Sequence, residues 1–300
     1  MDFNKRKKIK NIIFKVLFTL AAIISASMII FILLFIIKRG VSVFLPSYNN
    51  PISLWEFLSG LTWRPDQNQY GILFILINTL ISAFLAVLIS FPIAVLTALY
   101  IAKMAKKAVS EFLTTVIELL AAIPSVVYGV FAVGVIVKFV DSLANLFNQT
   151  TYGGRSVLAV GILLAIMILP TMTSLSITAI KAVDKKLESA SLALGASAMQ
   201  TNFKVVLPAA KSGIFSGLTL GLARAFGEAT AVSMVAGNRS IGPSLNPFEI
   251  TRTLTSTMLS GINETVGLDY DIRYSVGIVL LLTIIISNIT INYFKKKVGN

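Results

Sequence analysis

Arg224 and Glu228 are the only charges in the run Gly221-Leu-Ala-Arg-Ala-Phe-Gly-Glu-Ala-Thr-Ala231. Four residues apart, they share one face of a helix and can pair. An arginine at the centre of an apolar span costs about 2.5–3.5 kcal/mol on insertion scales, so it faces protein or a water-filled path. Its guanidinium offers forked donors that match tetrahedral oxyanions. The chemistry available is reversible contact with an anion, with Glu228 competing for the arginine. An ion pair that only locks two helices is the alternative. Gly217, Gly221 and Gly227 leave room for a neighbouring helix to approach. Glu118, six residues before Pro124, is a second candidate for the path, or a hydrated acid at the end of its span. Ile123-Pro-Ser-Val-Val-Tyr-Gly129 joins a helix breaker to small and hydroxyl residues. Broken helices line substrate paths in many transporters, which makes Pro124 and Ser125 path candidates. A plain kink is the other reading.

Other chemistry lacks its parts. The 300 residues include no Cys and no His. Disulfides, thiol catalysis, Ser–His pairs and the usual zinc sites are therefore excluded. No G-x-x-x-x-G-K-[ST] stretch cradles nucleotide phosphates, and no cluster of carboxylates suggests a metal. No catalytic residue and no cofactor is expected in this chain, and any ATP hydrolysis belongs to another.

The candidates must be positioned by helices that cross a bilayer. Hydrophobic residues make up 56% of the chain and charged ones 13%, about half the usual share for a soluble domain. Apolar stretches of about 20 residues recur, and only helices satisfy their own backbone in hydrocarbon. About six spans are expected, near 12–37, 72–101, 112–138, 156–180, 213–237 and 274–294. Pro92, Pro124 and Pro170 fall within them or at their ends. The basic N-terminus precedes an apolar run too long for a signal-peptide core, so it is read as a retained first helix.

The net charge of +13 is a topology signal. Seventeen Lys and Arg fall on one side of the spans and eight on the other, while the acids, from Asp2 to Asp271, lean the opposite way. Both termini are expected in the cytoplasm. No nucleic acid is needed to explain the charge. Two long external loops follow, about 38–71 and 238–273. The first holds Leu54, Trp55, Phe57 and Leu58, a short interfacial segment that suits either the membrane surface or an external partner. The second is rich in turn formers, including Gly242-Pro243 and Asn246-Pro247. A cytoplasmic loop over 183–211 is too polar to cross. Asp184 to Gly195 predicts a short amphipathic helix with a glycine C-cap. Residues 196–207 predict a second one, closed by Pro208.

In this loop Gly195, Val205, Leu207 and Pro208 have the spacing of the "EAA" loop of ABC importer permeases, which the segment resembles. In that family the loop seats in a cleft of the ATPase. The slot where the family places Glu is Ser189 here, with Glu188 one residue earlier. By resemblance Glu188, Ser189, Ala190, Gly195, Leu207 and Pro208 form the coupling element. Several further motifs narrow the match: Trp63-Arg-Pro65, Tyr70-Gly71, Ile123-Pro-Ser-Val-Val-Tyr-Gly129, Leu192-Ala-Leu-Gly-Ala-Ser197 and Arg224-Ala-Phe-Gly-Glu228. Over residues 50–240 the chain resembles the PstC-type permeases of phosphate importers. The resemblance implies an all-α integral membrane protein with the type I ABC importer permease (MetI-like) fold. It implies a tail, first helix and external loop over 1–71 and a transport domain over 72–300. It further implies a PstA-type second permease, two ATP-binding subunits holding ATP-Mg, and an extracytoplasmic phosphate-binding protein. The setting is a bacterial or archaeal cell membrane. Rival readings are a permease for another oxyanion (PstA-type or sulfate/molybdate-type), a stand-alone anion channel or secondary transporter, and an integral membrane enzyme.

Overall fold

The computed structural model describes residues 3–299. Asp2 lies outside them, as do the side chains of Lys5 and Arg6. The first helix, α1 (Phe3–Ser42), is followed by the short α2 (Leu54–Ser59) and a hairpin of β1 (Trp63–Arg64) and β2 (Gln69–Tyr70). Next come α3 (Leu73–Leu99), extended by a π-helical turn over Tyr100–Met104, and α4 (Lys107–Ala122). A further π turn, Ala132–Ile136, joins α5 (Ser125–Phe131) to α6 (Val137–Leu146). Helix α7 (Val157–Lys181) leads to α8 (Lys185–Ala193). Then α9 (Ala198–Thr201) runs through the π turn Asn202–Val206 into α10 (Leu207–Gly227). The chain ends with α11 (Thr230–Ala236), α12 (Leu254–Leu259) and α13 (Leu268–Gly299).

Among the described residues six helical stretches are long and apolar enough to cross a membrane: Lys10–Ser42, Leu73–Met104, Ser125–Leu146, Val157–Lys181, Ala198–Gly227 and Leu268–Lys297. Alternate crossings gather α4 and α8 at one face, the α8 side, and the β1–β2 hairpin, α12 and the loop after α11 at the other, the hairpin side. Two expected spans are displaced. The third does not run through 112–138, because the backbone is extended at Ile123 and Pro124. A proline ring bars the helix from continuing through the preceding turn. The crossing is Ser125–Leu146, and α4 stands apart as an amphipathic helix with Leu113 and Ile117 turned inward. The fifth does not run through 213–237 either. It starts at Ala198 and ends at Gly227. Pro208 closes nothing: it sits in the first turn of α10, where a missing N–H is tolerated.

Helix α7 forms the centre, and α3 and α10 pack along it. One core joins Ala86 and Ala94 of α3, Leu163, Ile168 and Met172 of α7, Ala225 of α10 and Val232 of α11. Gly217 and Gly221 face Met172 closely enough that a Cβ at 221 would lie 2.4 Å from its methyl, while Gly227 faces open space. Pro92 and Pro170 sit inside α3 and α7 without ending them. Helix α1 packs along α13, where Ser275 Oγ donates to Gly40 O at 2.6 Å. The rest of its apolar surface is exposed, as suits a helix solvated by lipid. A second core on the hairpin side holds Phe57, Trp63, Tyr70, Phe74 and Leu254. The hairpin turns through Asn68 at φ 54°, a left-handed position that asparagine tolerates.

Candidate functional site: the break after Gly227

Arg224 lies in the last turn of α10, half-buried. Its Nη1 donates to Thr171 Oγ1 at 2.9 Å, one residue beyond Pro170 in α7. Glu228 is not on the same helical face. Its backbone is extended (φ −75°, ψ 113°), so the i, i+4 relation ends one residue too soon. The Glu228 carboxylate instead accepts from Ala231 N at 3.1 Å, at the start of α11. The unpaired amides and the dipole of a helix N-terminus favour an anion there. Glu228 O accepts from Thr255 Oγ1 at 2.7 Å. The ion pairs among the described residues include Arg39–Asp271, Lys103–Glu188, Lys107–Glu111 and Arg239–Glu249, and none joins Arg224 to Glu228. The expected Arg224–Glu228 pair is therefore not formed. Arg224 is held by a neutral hydroxyl, with guanidinium donors to spare.

The Pro124 break lies beside this one. Pro124 caps α5 and Ser125 opens it, half-buried. Tyr128 Oη reaches back over the break to donate to Leu120 O at 2.8 Å. Tyr128 shares the central core with Ala225, the neighbour of Arg224, and with Ile123. Helices α5 and α11 meet at Gly129, where a Cβ would come 3.1 Å from Ala231 Cα and 2.5 Å from Met234 Sδ. The structure thus brings Arg224, Glu228, Pro124 and Ser125 into one neighbourhood. Glu118 is left out, exposed on α4 and not ion-paired to Arg224. Thr171 and Thr255 were not singled out from the sequence. The available signals were a hydroxyl directly after Pro170 and the alternation of Thr in Thr251-Arg-Thr-Leu-Thr-Ser-Thr257.

On the α8 side the short helix forms as expected. Asp184 caps its start by accepting from Lys186 N at 2.9 Å. At its end Gly195 takes φ +85°, with Gly195 N donating to Leu192 O and Ala196 N to Ser191 O. That double bond is a Schellman cap, which glycine adopts without steric cost. Glu188 forms an ion pair with Lys103 in the π turn after α3, and Ser191 Oγ lies 2.9 Å from Thr201 Oγ1 of α9. Ser189 and Ala190 are exposed. So are Leu187, Leu192, Leu194, Met199 and Phe203, an apolar surface on polar-looking helices. Leu207 and Pro208 stand at the base of α10, half-buried and exposed respectively.

Comparison with known proteins assigns this architecture. Residues 90–300 match the family described as binding-protein-dependent transport system inner membrane component. A probable ABC transporter permease protein, YqgH, of Bacillus subtilis is 34% identical over 94% of this chain and 90% of its own length. The phosphate transport system permease protein PstC of Pasteurella multocida is 31% identical, over 82% of each chain. Among solved structures, a chain of a bacterial alginate ABC transporter superposes with a TM-score of 0.64 at 16% identity, over 95% of this chain and 96% of that one. A chain of the inward-facing MetNI methionine ABC transporter gives 0.53 at 18%, over 77% and 95%. These two likenesses concern the fold. By its sequence and its architecture, the chain belongs to the family of binding-protein-dependent transport system inner membrane components, as an ABC importer permease of PstC type.

Proposed function

We propose that this chain is the subunit through which inorganic phosphate crosses the cell membrane in an ATP-driven importer. The observation that carries the reading is Arg224, a half-buried guanidinium at a helix break whose side-chain partner is a neutral hydroxyl. Such a group gives a passing oxyanion charge-assisted hydrogen bonds without a carboxylate to displace. Relatives named as phosphate transport permeases supply the substrate class. The bias of seventeen basic residues against eight supports placing both termini and α8 in the cytoplasm. The exposed apolar surface of α8 and α9 then receives an ATP-binding subunit, two of which serve this chain and a PstA-type partner. ATP and Mg stay on those subunits. An extracytoplasmic phosphate-binding protein delivers the anion to the hairpin side. Closure of the ATPases shifts α8 and the helices it touches, exposing the path alternately to each face.

The test is uptake by the assembled importer in proteoliposomes supplied with ATP. Labelled phosphate should accumulate, and excess sulfate or molybdate should leave the rate within about twofold. Uptake of sulfate in preference to phosphate would reassign the substrate. Uptake that needs no ATP would remove the importer reading.

A further inference from the structure

The hairpin side gathers arginines that the path at Arg224 does not use. They come from four separate stretches and converge on the segment after α11. That segment leaves the helix at Gly237 (φ +81°) and runs alongside the β1–β2 hairpin. Trp63 N donates to Ser240 O at 2.8 Å, and Thr62 pairs with Ile241. This contact sets Arg64 beside Arg239 although 175 residues separate them in sequence. The two line a cavity of about 390 Å³ together with Tyr152, Ser240 and Glu249. Two more guanidiniums brace the backbone of α11 and of the segment that follows it. Arg252 donates from Nε to Arg239 O at 2.7 Å and from Nη2 to Asn238 O at 2.8 Å. Arg155 Nε donates to Met234 O at 3.2 Å. Glu249 is the carboxylate of the cavity and is paired with Arg239.

We propose that this cavity is an oxyanion-holding site that receives phosphate on the hairpin side before it reaches Arg224. The inference rests on the phosphate-import reading. Each feature suits the task. Both cations that line the cavity are arginine, whose planar fork matches two oxygens of a tetrahedral anion better than an ammonium does. Burial, and then the neighbouring Arg273, push the Arg252 guanidinium down to about 10. It therefore stays charged at neutral pH and contributes a fixed positive field. The Arg239–Glu249 pair keeps binding shallow, because an arriving anion must compete with a carboxylate already in place. The same competition returns the anion to the path. The seven residues of α11 span about 10 Å, with Glu228 at one end and the cavity at the other. Site and path are thus joined by one short helix.

The experiment measures labelled phosphate binding to the purified, assembled complex without its binding protein, in the Arg224→Leu background that removes the inner contact. Residual low-affinity binding is expected, and Arg64→Gln with Arg239→Gln should weaken it at least tenfold. Should that double variant assemble poorly, Arg64→Gln alone, which breaks no ion pair, should still weaken binding at least threefold. Unchanged binding in either well-assembled variant overturns the site. So does selective loss of docking by the phosphate-free binding protein, which would make the arginines a protein-docking surface. If the wild-type complex takes up no phosphate, the substrate reading fails by itself. Sulfate and molybdate then serve as probes, and the cavity stands only if one of them binds and loses affinity in the same variants.

Discussion

At Pro124 the break between α4 and α5 is set by a proline ring and bridged by a phenol, Tyr128 Oη to Leu120 O. At Glu228 the break between α10 and α11 is held by a carboxylate on an amide and by a threonine hydroxyl on a carbonyl. The first is covalent and neutral, and no charge at it can be displaced. The second depends on a charge four residues after Arg224 in sequence. The two short segments beyond the breaks pack together at Gly129. A fixed break therefore backs an adjustable one, and the residue suited to meet an anion stands beside the adjustable one.

Substitutions can break or sharpen that contrast. Arg224→Leu should have the largest effect, a loss of phosphate uptake of at least about 100-fold with normal membrane abundance. Its hydroxyl partner on α7 can turn to a backbone carbonyl one turn back. Full uptake by this variant would reduce the second break to architecture. Gly195→Val lies far from both breaks and forces a β-branched residue into the left-handed region. ATP-driven uptake should fall about tenfold while ATPase activity of the complex persists. Parallel loss of both activities would show that α8 matters only for assembly.

Glu228→Ala removes a cap worth about 1 kcal/mol, so uptake should fall about fivefold and amide exchange in α11 should quicken. Because Arg224 and Glu228 bind different partners, the double variant should be additive in stability within about 0.5 kcal/mol. Rescue of folding or uptake by the double replacement would restore the ion-pair reading. The smallest effect belongs to the neutral break. Tyr128→Phe loses one hydrogen bond, about 1 kcal/mol, and uptake should stay within twofold. A larger drop would mean that the phenol itself contacts the anion.

Much of this architecture is legible in the residues. Apolar runs place six crossings because hydrocarbon leaves a backbone few other options. The Gly195 cap is legible because its φ admits little else. The breaks were harder to place. Arg224 and Glu228 have the spacing of a helical pair, and nothing local says that the helix stops at Gly227. What stops it is tertiary: Thr255, 27 residues on, supplies a hydroxyl to Glu228 O, and α11 offers an amide to the carboxylate. Pro124 was visible, yet a kink and a full break look alike until the crossing is counted from Ser125. The gathering of Arg64 with Arg239 was invisible, since it depends on the backbone pairing of Thr62 with Ile241.

The continuity of helix from α9 through the π turn into α10 has a mechanical consequence. Ala198–Gly227 is one rod of 30 residues, about 45 Å long. Its foot follows the glycine turn of α8, and its tip carries Arg224. A helix resists bending far more than it resists tilting as a body. A tilt of about 5° about the foot would carry the tip sideways by about 4 Å, more than the length of a hydrogen bond. Small work done at the foot is thereby delivered, geometrically enlarged, to the Arg224 guanidinium and its hydroxyl partner.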